Sequence, residues 1–155
     1  YAALTGKETV LDLYCGAGTI GLTMAADAKE IIGVEAVPRA VVDARINAQL
    51  NGIKNARFIC GDAAAAAGIL AQEGTKPDVV ILDPPRKGCA AELLKTIAQM
   101  EPGKIVYVSC DPATLARDCA VLEELGYKVD KVVPVDMFPR TGHVETVVLM
   151  SRVKE

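Results

Sequence analysis

The chain has 155 residues, of which 51% are hydrophobic. This excludes a disordered segment and is enough for one folded domain with a substantial core. Lys and Arg number 17 against 20 Asp and Glu, so the net charge of −3 argues against binding of nucleic acid by bulk positive charge alone. A local basic patch is compatible with this balance.

The cysteines indicate a reducing environment rather than a metal site. No two of the five Cys form a Cys-x-x-Cys pair and there is one His, so neither a zinc-binding domain nor any other metal site is expected. We expect free thiols, with Cys60 and Cys119 as small buried apolar residues. The sequence shows no signal peptide or bilayer-spanning segment, so a cytoplasmic location is expected. Because the chain begins at Tyr1 rather than Met, we expect residues 1–155 to be one domain of a longer protein.

The hydrophobic pattern alternates between two kinds of segment. Short β-branched runs predict strands over Thr9–Tyr14, Ile31–Val34, Ala56–Cys60, Val79–Leu82, Ile105–Ser109, Tyr127–Val135 and Val144–Met150. Segments with helical spacing predict helices over Thr19–Asp27, Pro38–Asn51, Ala63–Gln72, Ala90–Met100 and Pro112–Leu125. Pro38 and Pro112 fit the first turn of a helix, and Gly52 and Gly126 fit positions where a helix ends.

The order of these elements predicts the fold class. A helix separates each of the first five strands from the next, which favours parallel strands, right-handed crossovers and helices on both faces. The last two strands have no helix between them and should form an antiparallel pair at one edge. The prediction is an α/β, Rossmann-like, mostly parallel seven-stranded sheet with an antiparallel last strand. Ligands bind such sheets at the carboxyl ends of the strands.

The first strand runs into a Gly-x-Gly-x-x-Gly turn formed by Gly16, Gly18 and Gly21. Glycines there let the backbone turn tightly and approach a bound molecule. By itself the pattern fits both dinucleotides and other nucleoside cofactors. Asp12, just before the turn, favours a cofactor with an ammonium or sulfonium charge over one with a pyrophosphate.

Two further strands end in a carboxylate. Glu35 ends the second strand, where it could accept hydrogen bonds from both ribose hydroxyls. Asp62 ends the third strand and could reach an adenine amino group. Together with Asp12, these residues indicate S-adenosylmethionine. The alternative is that Asp12 and Asp62 are only caps or turn residues.

The fourth strand ends in Asp83, followed by two prolines, Arg86, Lys87 and Gly88. The prolines restrict the backbone and would hold the Asp83 carboxylate rigidly, as suits contact with a planar polar ring such as a base edge. Arg86 and Lys87 could contact phosphate. The alternative is a stiff loop with solvated charges.

The fifth strand ends in Cys110, and Pro112 begins the next helix. A helix N-terminus favours the thiolate, which is the reactive form of cysteine, whereas the neighbouring Asp111 disfavours it. Because this position should face the same cleft as Gly16 and Asp83, we interpret Cys110 as a nucleophile rather than as a buried apolar residue.

A nucleophile needs a partner for proton transfer. Glu145 is a charge at the start of a strongly apolar strand, where burial would make its carboxylate a stronger base. It could instead be an edge-strand charge that prevents aggregation. His143 is a second candidate base, and strand alternation places it on the same face as Glu145.

Four segments, LDLYCGAGTIG, ILDPPRKG, VYVSCDPATLARD and MFPRTGHVE, resemble those of the S-adenosylmethionine-dependent RNA uracil-5-methyltransferases, which act on transfer RNA and 23S ribosomal RNA. They occur in the family's order and span nearly the whole chain. The resemblance implies a catalytic domain with a class I methyltransferase fold that methylates carbon 5 of a uridine in RNA, 23S ribosomal RNA being favoured over transfer RNA. It also implies RNA-binding parts outside residues 1–155, often an OB-like domain and in some members an iron–sulfur cluster.

The resemblance further implies a role for each matching residue. Cys110 aligns with a nucleophile that forms a covalent adduct at carbon 6 of the base, and Glu145 aligns with the general base. Asp83 aligns with an aspartate between the base and the cofactor. The implied cofactor contacts are Tyr14, Gly16, Gly18, Thr19, Glu35, Asp62 and Asp83 itself.

Three other functions stay open. An exocyclic amino methyltransferase uses a proline-pair loop to hold the base but needs no thiol. An NAD-dependent oxidoreductase would share a related fold. A non-catalytic RNA-binding module with a decayed site is the third, and the presence of both Cys110 and Glu145 argues against it.

Overall fold

The computed structural model describes residues 1–137, 139–141 and 144–153. Seven strands are β1 (Thr9–Leu13), β2 (Glu30–Glu35), β3 (Ala56–Cys60), β4 (Val79–Leu82), β5 (Lys104–Ser109), β6 (Tyr127–Val135) and β7 (Glu145–Arg152). The α-helices are α1 (Thr19–Thr23), α2 (Pro38–Leu50), α3 (Ala63–Gln72), α4 (Ala91–Gln99) and α5 (Pro112–Glu124). Apart from the end of α1, every bound lies within two residues of its prediction. None of the described helices is long and apolar enough to cross a bilayer.

The prediction of one helix over residues 19–27 is wrong. The segment forms α1 and then a separate 3₁₀ turn over Ala25–Asp27. The break lies at Met24, whose N–H donates to Gly21 O at 3.1 Å. This bond spans three residues, and it tightens the last turn of α1 and ends the regular helix.

The strand order in the sheet is β3-β2-β1-β4-β5-β7-β6. All neighbouring strands are parallel except at β7, which is antiparallel to both β5 and β6. The predicted α/β class and antiparallel last pair are therefore confirmed. The structure adds that β7 lies between β5 and β6, with Thr146 paired to Ser109. The start of β7 is thereby placed beside the end of β5.

Apolar side chains cover both faces of the central strands. Leu11 and Leu13 of β1 pack into one core cluster, whereas Val10 of the same strand packs into another on the opposite face. All three are fully buried, and burial of such a side chain contributes about 1.5–3 kcal/mol. Because both faces must be buried, helices cover both faces of the sheet. The ends of the strands are then the part of the sheet that stays open to a ligand.

Candidate active site

Four of the predicted motifs lie side by side at one end of the strands, where the parallel strands have their carboxyl ends. β1, β4, β5 and β7 are consecutive neighbours, and adjacent strands are about 4.8 Å apart. Parallel strands end on the same side, and β7 begins on that side because it is antiparallel. The segments that hold Tyr14, Asp83, Cys110 and Glu145 therefore border one cleft.

Asp83 and Glu145 line a common groove of about 350 Å³. Its other described lining residues are all apolar: Val108, Val135, Met137 and Val147. Loss of water contact raises the pKa of Asp83, and the nearby charge of Glu145 raises it further. An apolar groove with a few polar groups suits a planar ring that carries hydrogen-bonding edges.

Cys110 is partly buried and directly follows β5. Its backbone is held on both sides, because Ser109 Oγ donates to Asp111 O at 3.0 Å and accepts from Asp111 N–H at 3.1 Å. Asp111 is the N-cap of α5 and accepts hydrogen bonds from two backbone N–H groups of its first turn. Cys110 is not among the described residues that line the Asp83–Glu145 groove, but Val108, two positions earlier, is one of them.

All five cysteines are free thiols. Cys119 is buried as predicted, but Cys60 is exposed, so the prediction that it is buried is wrong. The reason is that Cys60 ends β3, which is an edge strand. Burial raises the pKa of Cys15 to about 12 and that of Cys89 to about 11, so both thiols are protonated and poor nucleophiles at neutral pH. Cys110 is therefore the accessible thiol at this cleft.

The glycine-rich turn is anchored to the end of β2. Gly16 has φ +55° and Gly18 has φ +82°, values that favour glycine. Glu35 accepts hydrogen bonds from Gly16 N–H at 3.0 Å and from Val37 N–H at 2.8 Å. A Cβ atom built at Gly16 would meet nothing within 4 Å. The turn thus offers an open backbone surface beside an oriented carboxylate.

Asp12 carries a buried oxygen without a partner. The residue is 1% exposed, its Oδ2 accepts from Gly21 N–H at 2.9 Å, and its Oδ1 has no hydrogen bond within the described part of the chain. The turn-residue alternative therefore accounts for one oxygen only. Buried polar atoms normally have partners, so an unpaired carboxylate oxygen at the glycine-rich turn fits a cofactor that brings a cation or an N–H donor there.

We expect Asp12→Asn to flatten the pH dependence of stability. Burial, with a smaller contribution from Asp83, raises the pKa of Asp12 from 3.8 to about 7 despite its bond to Gly21 N–H. The folded protein thus retains a proton that the unfolded chain releases between these values, so the native state loses stability as pH rises through this range. Between pH 5 and pH 8 the unfolding free energy of the wild type should fall relative to Asp12→Asn by on the order of 2 kcal/mol.

Denaturant titrations at several pH values measure this difference. Asp43→Asn is the matched control, since Asp43 is only partly buried and pairs with Arg39 on the surface of α2, and it should reproduce the wild-type pH profile. A constant gap between wild type and Asp12→Asn from pH 5 to pH 8 would contradict the prediction.

The other predicted cofactor contacts are arranged differently. Tyr14 has φ +64°, which is uncommon outside glycine, and burial of its side chain raises the pKa of its hydroxyl. Asp62 is exposed, and its Oδ1 caps α3 by accepting from two backbone N–H groups at 3.0 and 3.1 Å. Thr19 lines a separate groove of about 280 Å³ that neither Glu35 nor Asp62 lines. The roles of these three residues in cofactor binding stay predictions.

Sequence reasoning missed Asp118, which is 1% exposed on α5. The signal was available, because Leu115, Asp118, Cys119 and Leu122 follow the i, i+3, i+4, i+7 spacing of a buried helix face. A charged residue within such a face requires partners.

Several other features lie away from this cleft or outside the described residues. The candidate base His143 is not within the described ranges. Between α2 and β3 there is a larger cavity of about 550 Å³, which none of the predicted site residues lines. The described residues contain no group of three or more His, Cys, Asp or Glu arranged to hold a metal ion.

Comparison with known proteins gives consistent matches. A model of the tRNA (uracil-5-)-methyltransferase family matches residues 2–153. A Clostridium acetobutylicum protein named as an uncharacterized RNA methyltransferase is 57% identical over 153 residues, which are 99% of this chain and 33% of that protein. The chain therefore spans about a third of the length of the curated relatives it matches.

Two solved structures extend the comparison. The Pyrococcus abyssi tRNA (uracil-54, C5)-methyltransferase, in complex with S-adenosyl-L-homocysteine, is 36% identical with a TM-score of 0.83 over 96% of this chain and 36% of that one. An rRNA methylase from Streptococcus thermophilus has a TM-score of 0.75 at 13% identity, over 97% of this chain and 90% of that one. The second likeness shows the fold alone.

Proposed function

Because the chain belongs to the tRNA (uracil-5-)-methyltransferase family, we propose that it transfers a methyl group from S-adenosylmethionine to carbon 5 of a uridine in RNA. The observation that carries this proposal is the arrangement at the ends of neighbouring strands. A partly buried thiol, Cys110, follows the strand that lies between those that bring Asp83 and Glu145, and the glycine-rich turn follows β1 on the other side of β4.

The thiol answers a specific chemical need. Carbon 5 of uracil is a poor nucleophile, and addition of the Cys110 thiolate to carbon 6 converts it into an enolate carbon that can attack an electrophile. Covalent catalysis of this kind divides one difficult step into two easier ones. When bound, S-adenosylmethionine supplies an electrophilic methyl group on a sulfonium.

Glu145 completes the cycle. After methylation, carbon 5 still carries its hydrogen, and the C6–S bond can break only once that proton is removed. The Glu145 carboxylate takes the proton, the double bond re-forms between carbons 5 and 6, and the Cys110 thiolate is released. Its place in the groove that Asp83 also lines favours this role, because it puts the carboxylate beside the space proposed for the base.

Asp83 orients the ring in the same groove. As a carboxylate it accepts a hydrogen bond from the N3 side of uracil. Its raised pKa also makes the protonated form available, and that form can donate to the oxygen on which enolate charge develops. On the motif resemblance, Asp83 is proposed to lie between the base and the cofactor.

The cofactor is held by the turn after β1 and its neighbours. The open backbone at Gly16, the oriented carboxylate of Glu35 and the unpaired Oδ1 of Asp12 are the features that fit S-adenosylmethionine, and Gly18 lets the turn pack closely against Leu22 and Phe58. Tyr14, Thr19 and Asp62 are proposed as further contacts, on the resemblance described above.

The target uridine must leave its stack to reach the cleft, which RNA loops permit at low cost. We assign the covalent chemistry to this domain and expect RNA selection to depend on protein outside it, because the net charge here is −3. The motif resemblance favours 23S ribosomal RNA, whereas the Pyrococcus abyssi relative is named for transfer RNA. Both RNAs should therefore be assayed.

Incubation with S-adenosylmethionine and RNA that contains 5-fluorouridine tests the proposal. Fluorine at carbon 5 cannot leave as a proton, so a covalent complex should accumulate, resist denaturation and map to Cys110 by peptide mass spectrometry. The experiment is run on this chain and on a longer polypeptide that contains it, with 23S ribosomal RNA and transfer RNA substrates. If neither protein forms an adduct while S-adenosylhomocysteine still binds, the proposal fails and methylation of an exocyclic amino group becomes the better hypothesis.

A further inference from the structure

A buried carboxylate connects two of the motifs that border the cleft. Asp118 of α5 accepts a hydrogen bond from Cys89 N–H at 2.7 Å and another from Tyr107 OH at 2.5 Å. Cys89 ends the loop that follows Asp83, and Tyr107 lies on β5, three residues before Cys110. The Asp118 carboxylate thus links three elements: α5, on which it lies, the loop that follows Asp83, and β5, the strand that leads to Cys110.

Arg117 and Thr114 add further bonds to the same loop. Arg117 pairs with Asp118 Oδ1 at 2.7 Å and donates to Lys87 O at 3.0 Å. Thr114 Oγ1 donates to Arg86 O at 2.9 Å. Three side chains on the first two turns of α5 therefore hold the backbone of the loop at Arg86, Lys87 and Cys89.

The loop depends on these bonds because it can make few of its own. Pro84 and Pro85 have no N–H, and the main-chain bond that closes the loop internally runs from Gly88 N–H to Pro85 O at 2.8 Å. Gly88 has φ +73°, and a Cβ atom there would lie 2.5 Å from Arg117 and 2.6 Å from Asp118. Glycine at position 88 therefore allows the loop to lie this close to α5.

We propose that Asp118, with its partners Tyr107 and Arg117, is a positioning residue that holds the Asp83 loop against α5 and so keeps Asp83 in register with Cys110. This inference rests on the proposed function, since it concerns the geometry of the same reaction. Asp118 acts through the loop and through α5, not on the substrate. Displacement of a reacting group by about 1 Å costs about 100-fold in rate, so loosening the loop should slow adduct formation.

The test compares two substitutions of the same kind. Tyr107→Phe removes the hydroxyl that donates to Asp118. Tyr127→Phe removes an equally buried hydroxyl, which donates to Pro102 O at 3.0 Å near the opposite end of the sheet. Asp118→Asn is a third variant, which removes the charge that pairs with Arg117. The readouts are adduct formation with saturating 5-fluorouridine RNA, the S-adenosylhomocysteine Kd, the melting temperature, and hydrogen exchange at residues 86–89.

For Tyr107→Phe and Asp118→Asn we expect adduct formation to slow by about 10- to 100-fold. The Kd should stay within about threefold, and exchange in the loop should be faster. For Tyr127→Phe we expect only the melting temperature to fall, with the adduct rate, the Kd and the loop exchange unchanged. The proposal would be overturned if Tyr107→Phe and Asp118→Asn both formed the adduct within about twofold of the wild-type rate. It would also be overturned if Tyr127→Phe slowed adduct formation as much as they do. If neither the wild-type chain nor the longer polypeptide that contains it forms an adduct while S-adenosylhomocysteine still binds, the proposed function fails, and loop exchange alone then decides whether Asp118 holds the loop.

Discussion

Replacement of Cys110 by Ala is expected to lower methyl transfer by about 10⁴-fold or more, because no other group can then form the bond to carbon 6. The buried thiols Cys15 and Cys89 cannot substitute for it, since burial raises the pKa of both above 10. Binding of S-adenosylhomocysteine should be retained, because the glycine-rich turn and Glu35 are anchored to each other rather than to Cys110. Transfer of a radiolabelled methyl group to RNA measures the first effect, and calorimetric titration measures the second.

Cys60→Ala provides the matched control for this variant. Cys60 is also a free thiol at the end of a strand and is exposed, but it lies on the edge strand β3 and borders no part of the Asp83–Glu145 groove. Its replacement should leave methyl transfer unchanged. Turnover by Cys110→Ala at a rate close to wild type would remove the covalent step from the mechanism.

Substitution of Glu145 by Gln is expected to separate the two halves of the reaction. The amide cannot accept the carbon 5 proton, so turnover should fall by about 10²- to 10⁴-fold, the usual contribution of a general base. Addition of Cys110 and methylation do not require that proton transfer. A methylated covalent complex with ordinary uridine RNA should therefore accumulate, and it can be detected as a denaturation-resistant band that carries the labelled methyl group.

The control for Glu145→Gln lies at the other end of the same strand. Glu101 forms an exposed ion pair with Arg152 at the end of β7, and Glu101→Gln should turn over like the wild type without trapping RNA. Wild-type turnover in Glu145→Gln would assign the proton transfer to another group. Loss of both turnover and the trapped complex would indicate that Glu145 is needed before methylation.

The local pattern of the sequence accounts for most of the secondary structure. Strand and helix positions were predictable because β-branched runs, helical spacing, and the Pro and Gly positions at helix ends act over short distances. The parallel part of the sheet follows from the intervening helices. Helix α1 is the exception, because a hydrogen bond from Met24 N–H to Gly21 O breaks a segment whose composition suits a continuous helix.

The chemistry of the cleft was only partly predictable. A thiol before a helix start and a carboxylate before two prolines are visible in the sequence. Cys60 shows the limit, since its exposure depends on the position of β3 at the edge of the sheet. Asp118 shows another, because its position on the buried face of α5 was visible but the loop that supplies its partners lies 29 residues away along the chain.

The sequence by itself therefore determined most of the elements and the parallel part of the sheet, and it supplied Cys110 and Glu145 as the candidate reactive side chains, which stay predictions. Only the tertiary structure decided that β7 enters between β5 and β6, which pairs Thr146 with Ser109 and places Glu145 beside the end of the strand that leads to Cys110. The physical reason is that alternation along a strand specifies which face each side chain occupies but not which strand becomes its neighbour. The loss of water that raises the pKa of Asp12 and Asp83 likewise depends on residues far away in the chain.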